Sequence, residues 1–143
     1  MCMKILFLLT MLLLSMIAEA ACFDEASRRY RIHPDLLKAI SKVESNGNPK
    51  AVNYSNKNGS RDIGHMQINS SWLRKLGKYG ITEQSLFDPC INTFVGAWVL
   101  ANNFKDIGYN WTAIGAYNAK SPDKRIIYAR KVKTALNRIR SQQ

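Results

Sequence analysis

The chain offers one side chain placed to carry a proton in and out of a buried site. Glu44 closes the stretch Pro34-Asp35-Leu36-Leu37-Lys38-Ala39-Ile40-Ser41-Lys42-Val43-Glu44-Ser45-Asn46-Gly47. Leu37, Ile40 and Val43 recur at helical spacing and mark an apolar face. Glu44 falls four residues after Ile40 and seven after Leu37, on that same face. An acid pointing inward from the last turn of a helix is disfavoured in its charged form by apolar surroundings and by the negative end of the helix dipole. It then holds its proton near neutral pH, as a general acid must. The same spacing also fits an exposed Glu on a frayed helix end. A second carboxylate, Asp62, follows eighteen residues later, just beyond the turn signal Asn58-Gly59.

Other chemistries find less support. His33 and His65 are isolated and the cysteines lie far apart, so no metal-binding signature is present and no cofactor is expected. The formal charge of +11 suits a polyanionic partner. No nucleic-acid motif accompanies it, so nucleic acid is not expected as a partner. Part of the charge, densest from Lys124 to Arg140, also fits a plain solvated helix face.

The N-terminus bears on the compartment. Lys4, the apolar run Ile5 to Leu14 broken only by Thr10, and Ala18-Glu19-Ala20 fit a secretory signal peptide over residues 1–20. That run is short for a membrane span, so no stable membrane insertion is expected after cleavage. Glu19 stands where a lipidation box needs an apolar residue, which argues against a lipoprotein anchored at Cys22. Cleavage leaves residues 21–143, one domain with a real core and no repeat or linker. It also leaves Cys22 and Cys90 as an even pair in an exported chain, which predicts a disulfide between them.

The elements that must position Glu44 read as follows. Phe23 to Tyr30 is a short first helix, and Pro34 suits the first position of the Glu44 helix, with Gly47 as its stop. Weak strands around Val52–Asn56 and Ser60–Ile63 flank Asn58-Gly59, with Asp62 on the return strand. Ser70 or Ser71 caps a short helix through Leu76. Asp88-Pro89 starts a long helix with Ile91, Phe94, Val95, Trp98, Val99 and Ala101 or Asn102 on one face. Asn110 caps a shorter helix from Trp111 to Asn118. Ser121-Pro122 opens a basic last helix with Ile127, Val132, Leu136 and Ile139 inside. The fold class is α+β, mostly α-helical, with at most one small β-hairpin.

Four blocks then stand in order: Val43-Glu44-Ser45; Gly64-His65-Met66-Gln67-Ile68-Asn69; Leu86-Phe87-Asp88-Pro89-Cys90-Ile91-Asn92 with Gly96; and Ala116-Tyr117-Asn118-Ala119. Together they resemble the catalytic domain of soluble lytic transglycosylases. The nearest likeness is to the small exported members that accompany secretion systems, pili and conjugation machines. The resemblance implies a lysozyme-like fold that cuts the β-1,4 bond between N-acetylmuramic acid and N-acetylglucosamine in peptidoglycan. It implies Glu44 as the catalytic acid. Ser45 joins it in the Glu-Ser pair, and Gly64, Met66 and Gln67 would line the sugar groove. Tyr117 would contact the acid and Asn118 the sugar; Tyr117 also fits a core aromatic with a satisfied hydroxyl. Gln67 and Asn118 offer amide groups suited to hydroxyls and acetamido groups, although Asn118 also fits a loop or cap bond.

Two departures from the family pattern matter. His65 replaces the usual Leu, which predicts an altered packing contact or subsite. Asp62 replaces a small residue, and the gap after Glu44 resembles the Glu and Asp pair of lysozyme. Asp62 is therefore a candidate second carboxylate that stabilises oxocarbenium charge opposite Glu44; an Asp serving the turn is the other reading. The expected partner is peptidoglycan, in the periplasm, cut by a monomer that opens the wall locally for a secretion apparatus or similar assembly. The rival readings are a lysozyme-type hydrolase using Glu44 and Asp62, and a wall-binding scaffold without turnover.

Overall fold

Asp88-Pro89 does start the central helix. In the computed structural model, which describes residues 21–143, Asp88 accepts a hydrogen bond from the Ile91 amide at 2.9 Å, and Pro89 sits at the first helical position. The expected signal peptide, residues 1–20, lies outside the described residues. Among the described residues, six α-helices and three short strands follow one another: α1 (Phe23–Tyr30), α2 (Pro34–Ser45), β1 (Val52–Asn53), β2 (Asp62–Ile63), β3 (Ile68–Asn69), α3 (Leu73–Leu76), α4 (Pro89–Ile107), α5 (Trp111–Gly115) and α6 (Pro122–Ser141). Short 3₁₀ turns precede and follow α3. The fold is mostly helical with a small sheet, as expected.

Helix α4 is the core of the molecule. Helix α1 packs on it, α5 lies along it, and β3 touches it. Its buried set, Asn92, Thr93, Val95, Gly96, Ala97, Val99 and Leu100, therefore runs further round than the single apolar face expected. Ile91, Phe94 and Trp98 are only half-buried. A helix covered from several sides has no solvent stripe, so a one-face reading undercounts its core. Helix α6 lies across α2 and α5. It buries Tyr128, Ala129, Val132 and Leu136, while Ile127 is 55% exposed, a correction of one residue in the helical register.

The sheet also differs from the expected hairpin. It has three antiparallel strands in the order β1-β2-β3, with Asn53 opposite Asp62 and Asp62 opposite Asn69. The third strand escaped the sequence reading because two residues are too few to show alternation. Asn58-Gly59 does form the turn between β1 and β2, with Gly59 at φ +74°. Three helix ends shift as well. Asn46, at φ 56°, reverses the chain after α2 one residue before Gly47. Asn69, not Ser70 or Ser71, caps the short turn before α3 by accepting from the Ser71 amide at 3.0 Å. Helix α5 stops at Gly115, so Tyr117 and Asn118 lie in the turn beyond it.

Cys22 and Cys90 form the predicted disulfide, joining the start of α1 to the first turn of α4. It closes a loop of 68 residues in sequence separation, for which unfolded-chain entropy amounts to about 4 kcal/mol. Among the described residues no helix is long and apolar enough to cross a membrane.

Asn92 joins α4 to the sheet. It is fully buried, donates to the carbonyls of Ile63 at 2.9 Å and Leu86 at 2.8 Å, and accepts from the Met66 amide at 2.8 Å. Gly64 allows this approach: a Cβ there would stand 2.2 Å from Asn92 Nδ2, and its φ is +77°. Asn92→Ala removes all three bonds and leaves three buried backbone groups unpaired. We expect a loss of about 4 kcal/mol in urea unfolding, far more than an apolar truncation of that size.

Candidate active site

Helix α2 delivers Glu44 into a groove of about 510 Å³. Its neighbours there include Asp62, Gln67, Asn69, Trp72 and Asn118. The side chain is held, not frayed: the Tyr128 hydroxyl donates to Glu44 Oε1 at 2.5 Å. Burial raises the Glu44 pKa from 4.5 to about 7. The Tyr128 hydrogen bond opposes the rise, the Asp62 carboxylate adds to it, and the Lys131 cation opposes it again. Burial outweighs the two opposing effects, and the acid holds its proton near neutrality.

Tyr117 was expected to hold the acid, and the structure assigns that contact to Tyr128 instead. The Tyr117 hydroxyl donates to the Met66 carbonyl at 2.8 Å. The two phenol rings stack, 6.4 Å between centroids and 13° apart. The reason is the packing of α6 across α2, which brings Tyr128 onto Glu44. Burial, then the nearby Glu44 charge, pushes both phenols well above their ordinary pKa, so both remain hydrogen-bond donors. Spacing held a signal for Tyr128: it lies four residues before Val132 and eight before Leu136, on the buried face.

Asp62 stands on the middle strand and lines the same groove as Glu44. Three amides surround it. Asn53 and Asn56 donate to Oδ2 at 3.1 and 3.0 Å, and Asn69 donates to Oδ1 at 2.7 Å. Two of these donors are its cross-strand partners. The turn is served by Asn58, whose Oδ1 accepts from the Ser60 amide and hydroxyl at 3.1 and 2.7 Å. The sequence pattern puts Asn53 and Asn56 on a weak strand and Asn69 in the block that follows Gly64, and gives none of them a part in the site.

Gln67 and Asn118 both line the groove. Gln67 has φ 52°, and its Nε2 donates to the carbonyls of Gly64 at 3.0 Å, Ala51 at 3.3 Å and Asp62 at 3.3 Å. Only an NH2 can meet three carbonyls, so the amide orientation is fixed with Nε2 toward the backbone. The Asn118 carboxamide is exposed and makes no hydrogen bond to the described residues.

Ser45, Gly64 and Met66 do not line the groove, a correction to the expected sugar contacts. Ser45 Oγ donates to the His65 carbonyl at 2.8 Å. Met66 is fully buried, and a Cβ on Gly96 would come within 2.7 Å of its Cε. These residues hold the floor that carries Gln67. His65 is a packing residue: its Nδ1 accepts from Ser41 Oγ at 2.7 Å, and its Nε2 donates toward the Pro89 carbonyl at 3.0 Å. Among the described residues no three His, Cys, Asp or Glu side chains are grouped to hold a metal ion.

A protonated carboxyl in an open groove of amides, on a lysozyme-like scaffold, defines an enzyme that cleaves glycosidic bonds. The comparison with known families narrows the class. The chain belongs to the family described as Transglycosylase SLT domain, whose family model matches residues 21–135, and it is a peptidoglycan lytic transglycosylase. It is 43% identical over 136 residues to the invasion protein IagB of Salmonella typhimurium, covering 91% of this chain and 84% of that one. It is 41% identical over 110 residues to protein IpgF of Shigella flexneri, covering 76% and 72%. It is 38% identical over 146 residues to a peptidoglycan-binding-like protein of Escherichia coli O157:H7, covering 94% and 87%.

Two outcomes test the electrostatics. Between pH 4.5 and about 7 the unfolded chain has lost the Glu44 proton while the folded chain keeps it, so stability falls as pH rises through that window. Glu44→Gln removes this term. Its stability relative to wild type should rise by up to about 3 kcal/mol between acid and mildly alkaline pH, read by urea unfolding across a pH series. Tyr128→Phe removes the hydrogen bond that favours the charged form. The Glu44 carboxyl should then titrate above about 7 by NMR, and the alkaline limb of the activity profile should move up with it.

Proposed function

We propose that the enzyme cuts the β-1,4 bond between N-acetylmuramic acid and N-acetylglucosamine and closes a 1,6-anhydro ring on the muramic acid. Glu44 gives its proton to the bridging oxygen, and the bond from that oxygen to muramic acid C1 breaks. The carboxylate then takes the proton from the C6 hydroxyl as that oxygen bonds to C1. Glu44 ends protonated, and no water is consumed. The observation that carries this reading is a buried carboxyl, held by Tyr128, that lines the groove; burial pushes its pKa up to about 7, which serves both halves of the cycle. Gln67 and Asn118 present amides to the sugar, Tyr128 orients the acid, and Asp62 faces developing positive charge at C1.

The shared groove position of Asp62 also favours a second reading, in which water attacks C1 and a reducing end results, as in lysozyme. The composition of residues 1–20, which fits an export signal, supports a periplasmic location. The likeness to the small exported members, and a relative named as an invasion protein, support a role in opening the wall for an envelope-spanning assembly.

Digestion of purified sacculi followed by mass spectrometry of the released muropeptides distinguishes the two chemistries. Anhydro ends are expected from wild type; reducing ends in their place assign the hydrolase. Glu44→Gln should lower turnover by about a thousandfold. Asp62→Asn and Asp62→Ala, with folding checked by thermal melts, should lower turnover by about tenfold or more without changing the product. Full activity in both ends the case for Asp62.

A further inference from the structure

Away from the groove, the described residues leave six large apolar side chains exposed, and three of them gather in one place. Tyr109 is 67% exposed, Trp111 40% and Ile126 52%. Trp111 is the wall between two cavities. One, of about 300 Å³, is lined by Trp111, Ile126, Ala129, Arg125, Arg130 and Lys133. The other, of about 410 Å³, is lined by Trp111, Tyr109, Leu36, Ile114, Leu136 and Arg140. Neither shares a lining residue with the catalytic groove.

Packing fixes the shape of the first cavity. A Cβ on Gly115 would stand 2.4 Å from the Arg125 carbonyl, so α5 and α6 touch backbone to backbone there. Arg125 Nε donates to the Ala119 carbonyl at 3.0 Å, and Lys133 Nζ lies 5.8 Å from the Trp111 ring centroid. The charge is one-sided. Helix α6 carries seven Lys and Arg against a single acid, Asp123, and neither cavity has an Asp or Glu in its lining.

We infer that this face docks an acidic, amphipathic segment of a partner protein. Two of its apolar side chains seat on either side of Trp111, and its carboxylates pair with Arg125, Arg130, Lys133 and Arg140. Charge complementarity selects the occupant. A second copy of this chain, with formal charge +11, would set like charges against each other. Two concave cavities fit discrete side chains at helical spacing better than they fit the flat surface of a bilayer. Their apolar linings suit hydrocarbon, not sugar hydroxyls. Docking there leaves the groove open, so the enzyme can be held by its partner while it cuts.

The test is selection of displayed random peptides of about 16 residues on the folded enzyme, with the enriched sequences then synthesised and titrated by fluorescence anisotropy. Enriched sequences should be acidic, with apolar residues three or four apart. Ile126→Asp, and Arg130→Glu together with Lys133→Glu, should each weaken their binding by about tenfold or more. Turnover of sacculi by Ile126→Asp, and the thermal midpoint of every variant, should stay at wild-type values. Enrichment of neutral or basic sequences, or of none, overturns the inference. So does unchanged affinity in the variants, or displacement of the peptide by chitooligosaccharide. Binding of wild type to phosphatidylglycerol vesicles that the same variants abolish, without peptide binding, assigns the face to membrane and overturns it too.

Discussion

The contact between Tyr128 and Glu44 is the one on which the rest of the structure turns. A carboxyl moved out of water loses hydration that its charged form needs, and this raises its pKa. Left alone, burial would leave the group too reluctant to release its proton. The phenol donates at 2.5 Å and returns some stability to the anion, as does the Lys131 cation. The balance sits at about 7, where one group can both give and take a proton. Burial alone would leave a carboxyl too weak as an acid, and full solvation a carboxylate too weak as a base.

That balance depends on where α2, α6 and the sheet meet. Glu44 comes from the end of a helix and Asp62 from the middle of the sheet, so the groove exists only while those two parts keep their spacing. Asn92 fixes the sheet side of it by tying α4 to Ile63, Met66 and Leu86 through a single buried carboxamide. Gly64 and Gly96 remove the Cβ atoms that would push the layers apart. Tyr117, donating to the Met66 carbonyl, braces the same floor from the other side. What the family pattern presents as sugar contacts at Gly64 and Met66 is, in this geometry, the support beneath Gln67.

Much of this was legible in the residues, and the failures share a cause. Helix starts were readable because Asp88, Asn110 and Pro34 signal locally through caps and fixed backbone angles. The disulfide was readable because only two cysteines remain beyond the expected signal segment. Glu44 was readable as an inward acid because period and position agreed. Tyr128 was missed because its role arises from α6 crossing α2, 84 residues apart in sequence. The apolar Ile127 beside it also drew the register one residue away. The three amides around Asp62 were missed because a weak strand of uncertain register does not say which way its Asn residues face, and only cross-strand pairing turns Asn53 and Asn69 toward one carboxylate. Local chemistry is written in order along the chain; contacts between distant elements are not.

Helix α6 shows how one element carries two opposed environments. Its inner face, Tyr128, Val132 and Leu136, meets α2 and the acid, while its outer face is crowded with cations. Those cations do not spoil the acid. Lys131 lowers the Glu44 pKa, yet burial dominates, because exposed charges act through water and are screened within about 8–10 Å at ordinary salt. A cationic surface also draws the enzyme to an anionic wall without specifying where it lands. Charge alone therefore supplies approach and not address. An address needs shape, which on this helix the paired cavities around Trp111 supply and the evenly spread lysines and arginines do not.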